Sequence, residues 1–129
     1  SRDWSSDVCS SDLIRSAGNF GILEDYVGHG IGTRMHMDPA VPNYGAPGHG
    51  AQLRVGMALA VEPMVTLGGN EVHTLADNWT VVTDDGSRAS HWEHTVAITQ
   101  DGPWVLTAHD GGAQRFAAMG VPSPASSRL

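Results

Sequence analysis

The chain has 129 residues, enough for one compact domain or part of one and too few for two ordinary domains. Its hydrophobic fraction is 40%, and no apolar run approaches the length needed to cross a bilayer, so the composition excludes a membrane span. The formal net charge is −7, and all seven basic residues are arginines that form no cluster, which argues against nucleic acid as a partner.

Residues 1–13 differ abruptly in composition from the rest of the chain. The segment is polar, contains SSD twice and has neither helical nor strand periodicity. Residues 3–13, DWSSDVCSSDL, resemble the translation of a common sequencing-library adapter. We therefore expect residues 1–13 to be an artefactual, non-native segment and the chain from Ile14 onward to be the C-terminal part of a longer protein. Cys9 is the single cysteine and no basic-then-apolar leader is present, so we expect a reducing cytoplasm.

The residues after this segment predict one helix end, one strand and two loops. From Ile14 we expect the last turn of a helix that ends near residues 18–21, followed by a strand over about residues 22–27. The stretch GHGIGTRMHMDP, residues 28–39, favours neither helix nor strand and predicts a glycine-rich loop. Residues 39–50 hold three prolines and three glycines and predict an ordered but irregular surface loop.

Five β-prone runs follow: MALAVEPMVTL, EVHTLA, WTVVT, ASHWEHTVAIT and PWVLT. Short turn-forming segments separate them, so we expect an antiparallel meander within an α+β fold that is mostly antiparallel sheet. Beyond Leu106 the residues become small and polar. There we expect one helical turn at AQRFAAM and a partly flexible C-terminal tail over residues 109–129, with a frayed Pro- and Ser-rich end.

Two glutamates lie in the middle of apolar runs. Period-2 alternation sets Glu62 on the face of Ala58 and Ala60, and Glu93 on the face opposite Trp92, so we expect both carboxylates to point inward. A buried carboxylate is costly without an arginine, a hydrogen-bond network or a cation, and no arginine lies within either run. A metal ion is therefore a serious candidate.

His29 is the third candidate ligand. Because Gly28 and Gly30 flank it, its backbone can approach a site closely and present an imidazole nitrogen from a tight turn at a strand end. Two carboxylates and one imidazole suit Mn, Fe, Co or Zn better than a structural zinc site, which favours thiolates. Taken singly, each of these residues is more often a satisfied core or loop residue than a ligand, and only their combination favours a metal.

The motifs GHGIGTRMHMDP, VEPMV, WTVVT and HWEHTVAIT, in this order and spacing, resemble the C-terminal half of type I methionine aminopeptidases, which have the pita-bread fold. The resemblance covers residues 14–108. GHGIG alone also occurs in prolidases and aminopeptidase P relatives, but Pro-Met after Glu62 and EHT around Glu93 favour the methionine enzymes. The 31-residue step from Glu62 to Glu93 leaves no room for the extra subdomain of the type II enzymes.

This resemblance implies an activity and roles for individual residues. A monomeric cytoplasmic enzyme would remove the initiator methionine from nascent polypeptides, with His29 and Glu62 ligating one of two divalent ions (Co, Mn, Fe or Zn). Glu93 would bridge both ions and move a proton, while His36 would be a catalytic, non-ligand histidine that hydrogen-bonds the scissile amide. Met35 and Trp79 match substrate-binding positions beside the methionine pocket, although core packing explains Trp79 equally well.

The chain also departs from the family pattern. The family needs two Asp ligands and another substrate-binding histidine from the N-terminal half, and none has a counterpart here. Asp3, Asp7 and Asp12 lie in the segment 1–13, at a spacing that does not match. With three of five ligands, we expect the chain as written to be inactive, although its parent is an enzyme. We also expect poor stability, because losing one half of the fold exposes apolar strand faces.

Two alternatives stay open. Some pita-bread proteins have lost their metals and act as binding modules, and the missing Asp pair is compatible with that interpretation. A peptidase of the same fold that cleaves next to proline is the other alternative, and peptides of the Met-Ala and Xaa-Pro types distinguish the two enzymes.

Overall fold

Antiparallel strands make up most of the structure, a computed structural model that describes residues 10–46 and 48–128. The chain has few helices, and the prediction of an α+β fold that is mostly antiparallel sheet is confirmed. In chain order the elements are α1 (Ser10–Ala17), β1 (Gly21–Ile22), β2 (Gly28–Ile31), β3 (Met37–Val41), β4 (Ala58–Val61), β5 (Met64–Thr66), β6 (Val72–Thr74), β7 (Val81–Thr83), β8 (Ala89–His91), β9 (His94–Thr99), β10 (Gly102–Val105), α2 (Ala113–Ala118) and a 3₁₀ helix (Pro124–Arg128).

Within the described residues the strands form three sheets. The largest has the order β10-β9-β4-β2-β3, the second has the order β1-β5-β8, and β6 and β7 form a separate two-stranded hairpin. All of these pairs are antiparallel. The predicted meander is wrong, because the run that holds β4 and β5 pairs with the run that holds β8 and β9 instead of with the next run in sequence, which holds β6.

The two longest β-prone runs are each interrupted in the middle. One run ends β4 at Val61 and begins β5 at Met64, and the other ends β8 at His91 and begins β9 at His94. Pro63 has no N–H to donate, so it cannot continue a ladder on both sides. The Trp92 N–H still donates to the Pro63 carbonyl at 3.3 Å. The two runs therefore stay side by side as they pass from the five-stranded sheet to the three-stranded sheet.

The glycine-rich stretch 28–39 forms β2 and the first part of β3, so the prediction of a loop is wrong except for residues 32–36, which connect the two strands. Strand β2 pairs with β3 on one side and with β4 on the other. A Cβ atom on Gly28 would collide with the carbonyl oxygen of Ala60, and one on Gly30 would collide with the carbonyl oxygen of Asp38. Glycine is needed at both positions because the neighbouring backbones approach closely here. A sequence pattern does not distinguish a glycine of this kind from a glycine in a turn.

The boundaries of the early elements differ from the predictions. The helix end is confirmed, because α1 ends at Ala17. Strand β1 covers Gly21–Ile22 alone, which is shorter than the strand predicted over residues 22–27. Strand β3 continues to Val41 and so takes the first residues of the predicted loop 39–50. Pro39 is tolerated there because β3 is an edge strand of its sheet.

The C-terminal residues pack against the hairpin of β9 and β10. Helix α2 confirms the helical turn predicted at AQRFAAM. The Ser123 hydroxyl donates to the Pro103 carbonyl at 2.7 Å, and Ala125 is 1% exposed. The Pro- and Ser-rich segment, for which we expect fraying, thus forms a 3₁₀ helix in its described part, with a small apolar contact of its own.

The buried apolar residues are few, and many large apolar side chains remain exposed. None of the helices in the described residues is long and apolar enough to cross a membrane. Large side chains at the surface include Trp92 at 68% and Leu67 at 64% exposure. The buried apolar residues are Ile22, Leu23, Leu59, Ala60, Ile98, Ala113 and Ala125.

The close approach at Gly30 predicts a clear effect on stability. Replacing Gly30 with Ala should lower the free energy of unfolding by about 1–3 kcal/mol, because the new methyl group must push β2 away from β3. Gly50→Ala is the matched control, because a Cβ there meets open space and should leave stability unchanged or slightly higher. Urea unfolding of both variants measures the difference, and equal midpoints would contradict the proposed packing role.

Candidate metal centre

The register of the central strands sets the two glutamates opposite each other. In the pair of β4 and β9, Ala60 lies opposite Thr95 and Val61 lies opposite His94. One step further along both runs, the same antiparallel register brings Glu62 opposite Glu93. Glu62 follows β4 and Glu93 precedes β9, so both residues lie where the two runs leave the five-stranded sheet.

His29 reaches the same region from β2. It pairs with Ala60, which makes it a diagonal neighbour of Glu62. Its Nδ1–H donates to the carbonyl of Gly30 at 3.0 Å, so in the neutral ring Nε2 carries the lone pair. That Nε2 lies 3.2 Å from Oε1 of Glu62. Two acceptor atoms this close require a proton or a cation between them, and an imidazole held through its other nitrogen is the usual form of a metal ligand.

Glu62 is held between two imidazoles. The residue is 8% exposed, and while Oε1 faces His29, Oε2 lies 3.1 Å from Nε2 of His91. The predicted burial of Glu62 is thus confirmed, and its nearest partners are histidines. His91 is not among the site residues predicted from sequence, although it lies two positions before Glu93 and alternation sets both on one face.

Glu93 completes the group but does not point into the interior. Its side chain is exposed, so the prediction that both carboxylates are buried is wrong for this residue. Alternation does not decide burial here, because Glu62 and Glu93 both lie just outside a strand and only Glu62 is covered by neighbouring residues. The group formed by His29, Glu62 and Glu93 is therefore buried on the side of β4 and open on the side of Glu93.

The donor set fits a divalent cation. One ligand atom from each of His29, Glu62 and Glu93 can be chosen so that all three lie within 4.8 Å of one another. This spacing suits donors around one ion, or around two neighbouring ions about 3.5–4 Å apart. Two carboxylates and an imidazole nitrogen without a thiolate are typical of Mn, Fe, Co or catalytic Zn sites. The repulsion between two carboxylates at this separation also favours a cation.

His36 lies beside the group without joining it. Its ring centroid is 4.3 Å from that of His29, with the ring planes tilted by 55°. The residue is exposed and precedes β3, so its free nitrogen atoms can reach a molecule bound in front of the group. The structure therefore brings together four of the predicted site residues, His29, His36, Glu62 and Glu93.

Asn43 supports the site from behind and was not found by sequence analysis. Its side chain is fully buried, and Nδ2 donates to the main-chain carbonyl of Glu62 at 3.3 Å. This bond ties the loop after β3 to the break between β4 and β5. No motif or periodicity distinguishes Asn43 from an ordinary loop asparagine, so its role depends on tertiary contacts alone.

The two predicted pocket residues are at the surface of the described chain. Met35 is 70% exposed and Trp79 is 87% exposed, which excludes core packing within the described residues as the explanation of Trp79. The carboxylate of Asp77 holds the turn that carries Trp79, since it accepts the main-chain N–H groups of Trp79 and Thr80 at 3.0 and 2.9 Å. Hydrogen bonds, above all from the Thr80 hydroxyl, hold the pKa of Asp77 below its ordinary value.

The chain matches metallopeptidase family M24 over residues 6–100. It is 60% identical over 94 residues to methionine aminopeptidase 1 of Mycobacterium tuberculosis, a match that covers 73% of this chain and 35% of the relative. It is 59% identical over 96 residues to methionine aminopeptidase of Clostridium acetobutylicum, covering 74% of this chain and 38% of the relative. The family match begins inside the segment 1–13, and the boundary at Ile14 stays a prediction.

Solved structures give the same picture. The crystal structure of methionine aminopeptidase from Thermotoga maritima matches with a TM-score of 0.72 and 50% identity, covering 77% of this chain and 39% of that one. That from Rickettsia prowazekii matches with a TM-score of 0.69 and 38% identity, covering 77% and 40%. The chain thus spans little more than a third of the length of the relatives it matches, and the predicted pita-bread relationship is confirmed.

The bond from Asn43 predicts that an isosteric change will be harmful. Asn43→Asp removes the donor to the Glu62 carbonyl and buries an acidic group, so the free energy of unfolding should fall by about 1–3 kcal/mol. Asn70→Asp, at an exposed position, makes the same chemical change and should have little effect. Thermal unfolding of both variants checks this, and an Asn43→Asp variant as stable as the control would refute the supporting role.

Proposed function

The chain belongs to metallopeptidase family M24, and we propose that it forms the C-terminal half of the catalytic domain of an enzyme that removes N-terminal methionine from polypeptides. Residues 14–108 would supply this half, with residues 109–129 as a tail. Identities of 60% and 59% to bacterial methionine aminopeptidases support the assignment. The observation that carries it is the convergence of His29, Glu62 and Glu93, with His36 in ring contact with His29.

We propose that His29, Glu62 and Glu93 hold divalent cations, with His29 and Glu62 on one ion and Glu93 shared between two. Such ions, when bound, lower the pKa of water and polarise a scissile carbonyl. The Nδ1–H bond from His29 to the Gly30 carbonyl orients the ring so that Nε2 faces Glu62. Co, Mn, Fe and Zn all suit this donor set.

The remaining site residues act on the substrate. His36 would hydrogen-bond the scissile amide, which its exposed position beside His29 allows. Glu93, on the open side of the group, would carry a proton to the leaving nitrogen. Met35 and Trp79, both exposed on the described surface, would line a pocket for the methionine side chain. We propose cytoplasmic nascent chains as the substrates and a monomer as the active form.

Metal binding tests the ligand assignment directly on the full chain. His29→Ala should weaken Co²⁺ binding by about 100-fold or more, because it removes the only nitrogen donor of the group. His36→Ala should leave Co²⁺ affinity nearly unchanged, because His36 touches the His29 ring without joining the donor set. Isothermal titration with Co²⁺ measures both, and equal losses would reject the non-ligand role of His36.

Peptide hydrolysis tests the activity. A longer protein that contains this chain, together with a segment supplying two further Asp ligands, should release methionine from Met-Ala peptides. In that protein His36→Ala should lower turnover by about 100-fold or more. The chain as written should release none, because it carries three of the five ligands that the family pattern requires. Preferential cleavage of Xaa-Pro peptides would instead favour a proline-specific enzyme, and a metal-free protein would favour a binding module.

A further inference from the structure

We infer that His91 is a positioning residue for Glu62, whose carboxylate it holds through Oε2 so that Oε1 stays directed at the cation site. This inference rests on the proposed metal centre and adds to it a residue outside the ligand set. The observation is the 3.1 Å contact between Nε2 of His91 and Oε2 of Glu62. A carboxylate accepts hydrogen bonds only, so Nε2 of His91 is the donor.

His91 reaches Glu62 from a different sheet than His29 does. His91 lies at the end of β8 in the three-stranded sheet, opposite Met64 of β5. Met64 is two residues after Glu62 in the sequence. His29 approaches through Ala60, two positions before Glu62, in the five-stranded sheet. The two oxygens of the Glu62 carboxylate therefore face imidazoles on opposite sides of the break between β4 and β5.

The two histidines are not equivalent once a cation is present. A bound cation would be held through the Nε2 lone pair of His29, so His29 would offer no hydrogen bond to Glu62. Within the described residues, the side chains that contact the Glu62 carboxylate are those of His29 and His91. His91 is thus the donor that remains when the site is loaded. It fixes which oxygen of Glu62 faces the ion and limits rotation of the carboxylate, the usual work of a residue behind a metal ligand.

Three substitutions separate positioning from general stability. His91→Gln keeps an N–H donor at the end of a side chain of moderate length, whereas His91→Leu keeps apolar bulk and removes the donor. The matched control is His73→Leu, because His73 forms the same kind of pair with Asp84, at 2.6 Å, on the exposed hairpin of β6 and β7. Each variant is made in the full chain and titrated with Co²⁺, following its visible absorption bands, after thermal unfolding without metal has been recorded.

We expect His91→Leu to weaken Co²⁺ affinity by about 10-fold to 100-fold and to change the absorption bands, as loss of a residue behind a ligand does. His91→Gln should restore most of the affinity and the bands, and His73→Leu should match the unsubstituted chain. Unchanged affinity and bands in His91→Leu would overturn the inference while leaving the proposed metal centre intact. No Co²⁺ binding by the unsubstituted chain would instead reject the metal centre and the inference together.

A measurement without metal covers the case in which His91→Leu does not fold. The ¹⁵N spectrum of imidazole nitrogens in the unsubstituted chain should show His91 protonated at Nε2, and Glu62→Gln should shift that signal without shifting the signal of His73. The inference would be overturned, independently of any metal titration, if the His91 ring were protonated at Nδ1 alone. It would also be overturned if the ¹⁵N signal of His91 did not change in the Glu62→Gln variant.

Discussion

The burial of one carboxylate governs the centre of this structure. Glu62 is 8% exposed, and an ionised carboxylate withdrawn from water is destabilising unless other groups replace its hydration. Here His91 donates a hydrogen bond to one oxygen, and the other oxygen faces Nε2 of His29 across a gap that a proton or a cation must fill. The break at Pro63, the paired break at Trp92 and the Asn43 bond to the Glu62 carbonyl all hold the backbone where this arrangement is possible. The burial of Glu62 also suits metal binding, because a carboxylate that has lost its hydration gains more from contact with a cation.

The strand content of the chain could be predicted from sequence, but the order of the strands could not. Alternating apolar residues mark each run locally, which is why the β-prone segments after residue 56 all contain strands. Which run pairs with which depends on contacts far apart in sequence, so the insertion of β4 between β2 and β9 left no local signal. The glycines at 28 and 30 were misread for a related reason: glycine marks both a turn and a close backbone approach, and only the neighbouring strands decide between them.

The candidate site could be predicted in part, because rare polar residues within apolar runs are easy to notice. Glu62 met that description and is buried, whereas Glu93 met it and is exposed, since its burial depends on what lies in front of β8 and β9. His91 and Asn43 went unnoticed because each acts through a contact to Glu62 that no spacing rule specifies. The role expected for His36 comes from the resemblance to methionine aminopeptidases and stays a prediction, and the structure places its ring against that of His29.

The three candidate ligands lie far apart in the sequence, so cation binding would depend on correct pairing of the strands that carry them. His29, Glu62 and Glu93 are separated by 33 and 31 positions and come from three different strand runs. Since side chains alternate along a strand, a slip of one residue between β4 and β9 would turn one glutamate to the opposite face and scatter the donors. An ion that binds only the correctly aligned chain stabilises that alignment by mass action and leaves misaligned chains unaffected. A bound metal would then stabilise the correct strand register in addition to its part in the reaction. Chains with a shifted register would lack the ligand geometry and would not be stabilised.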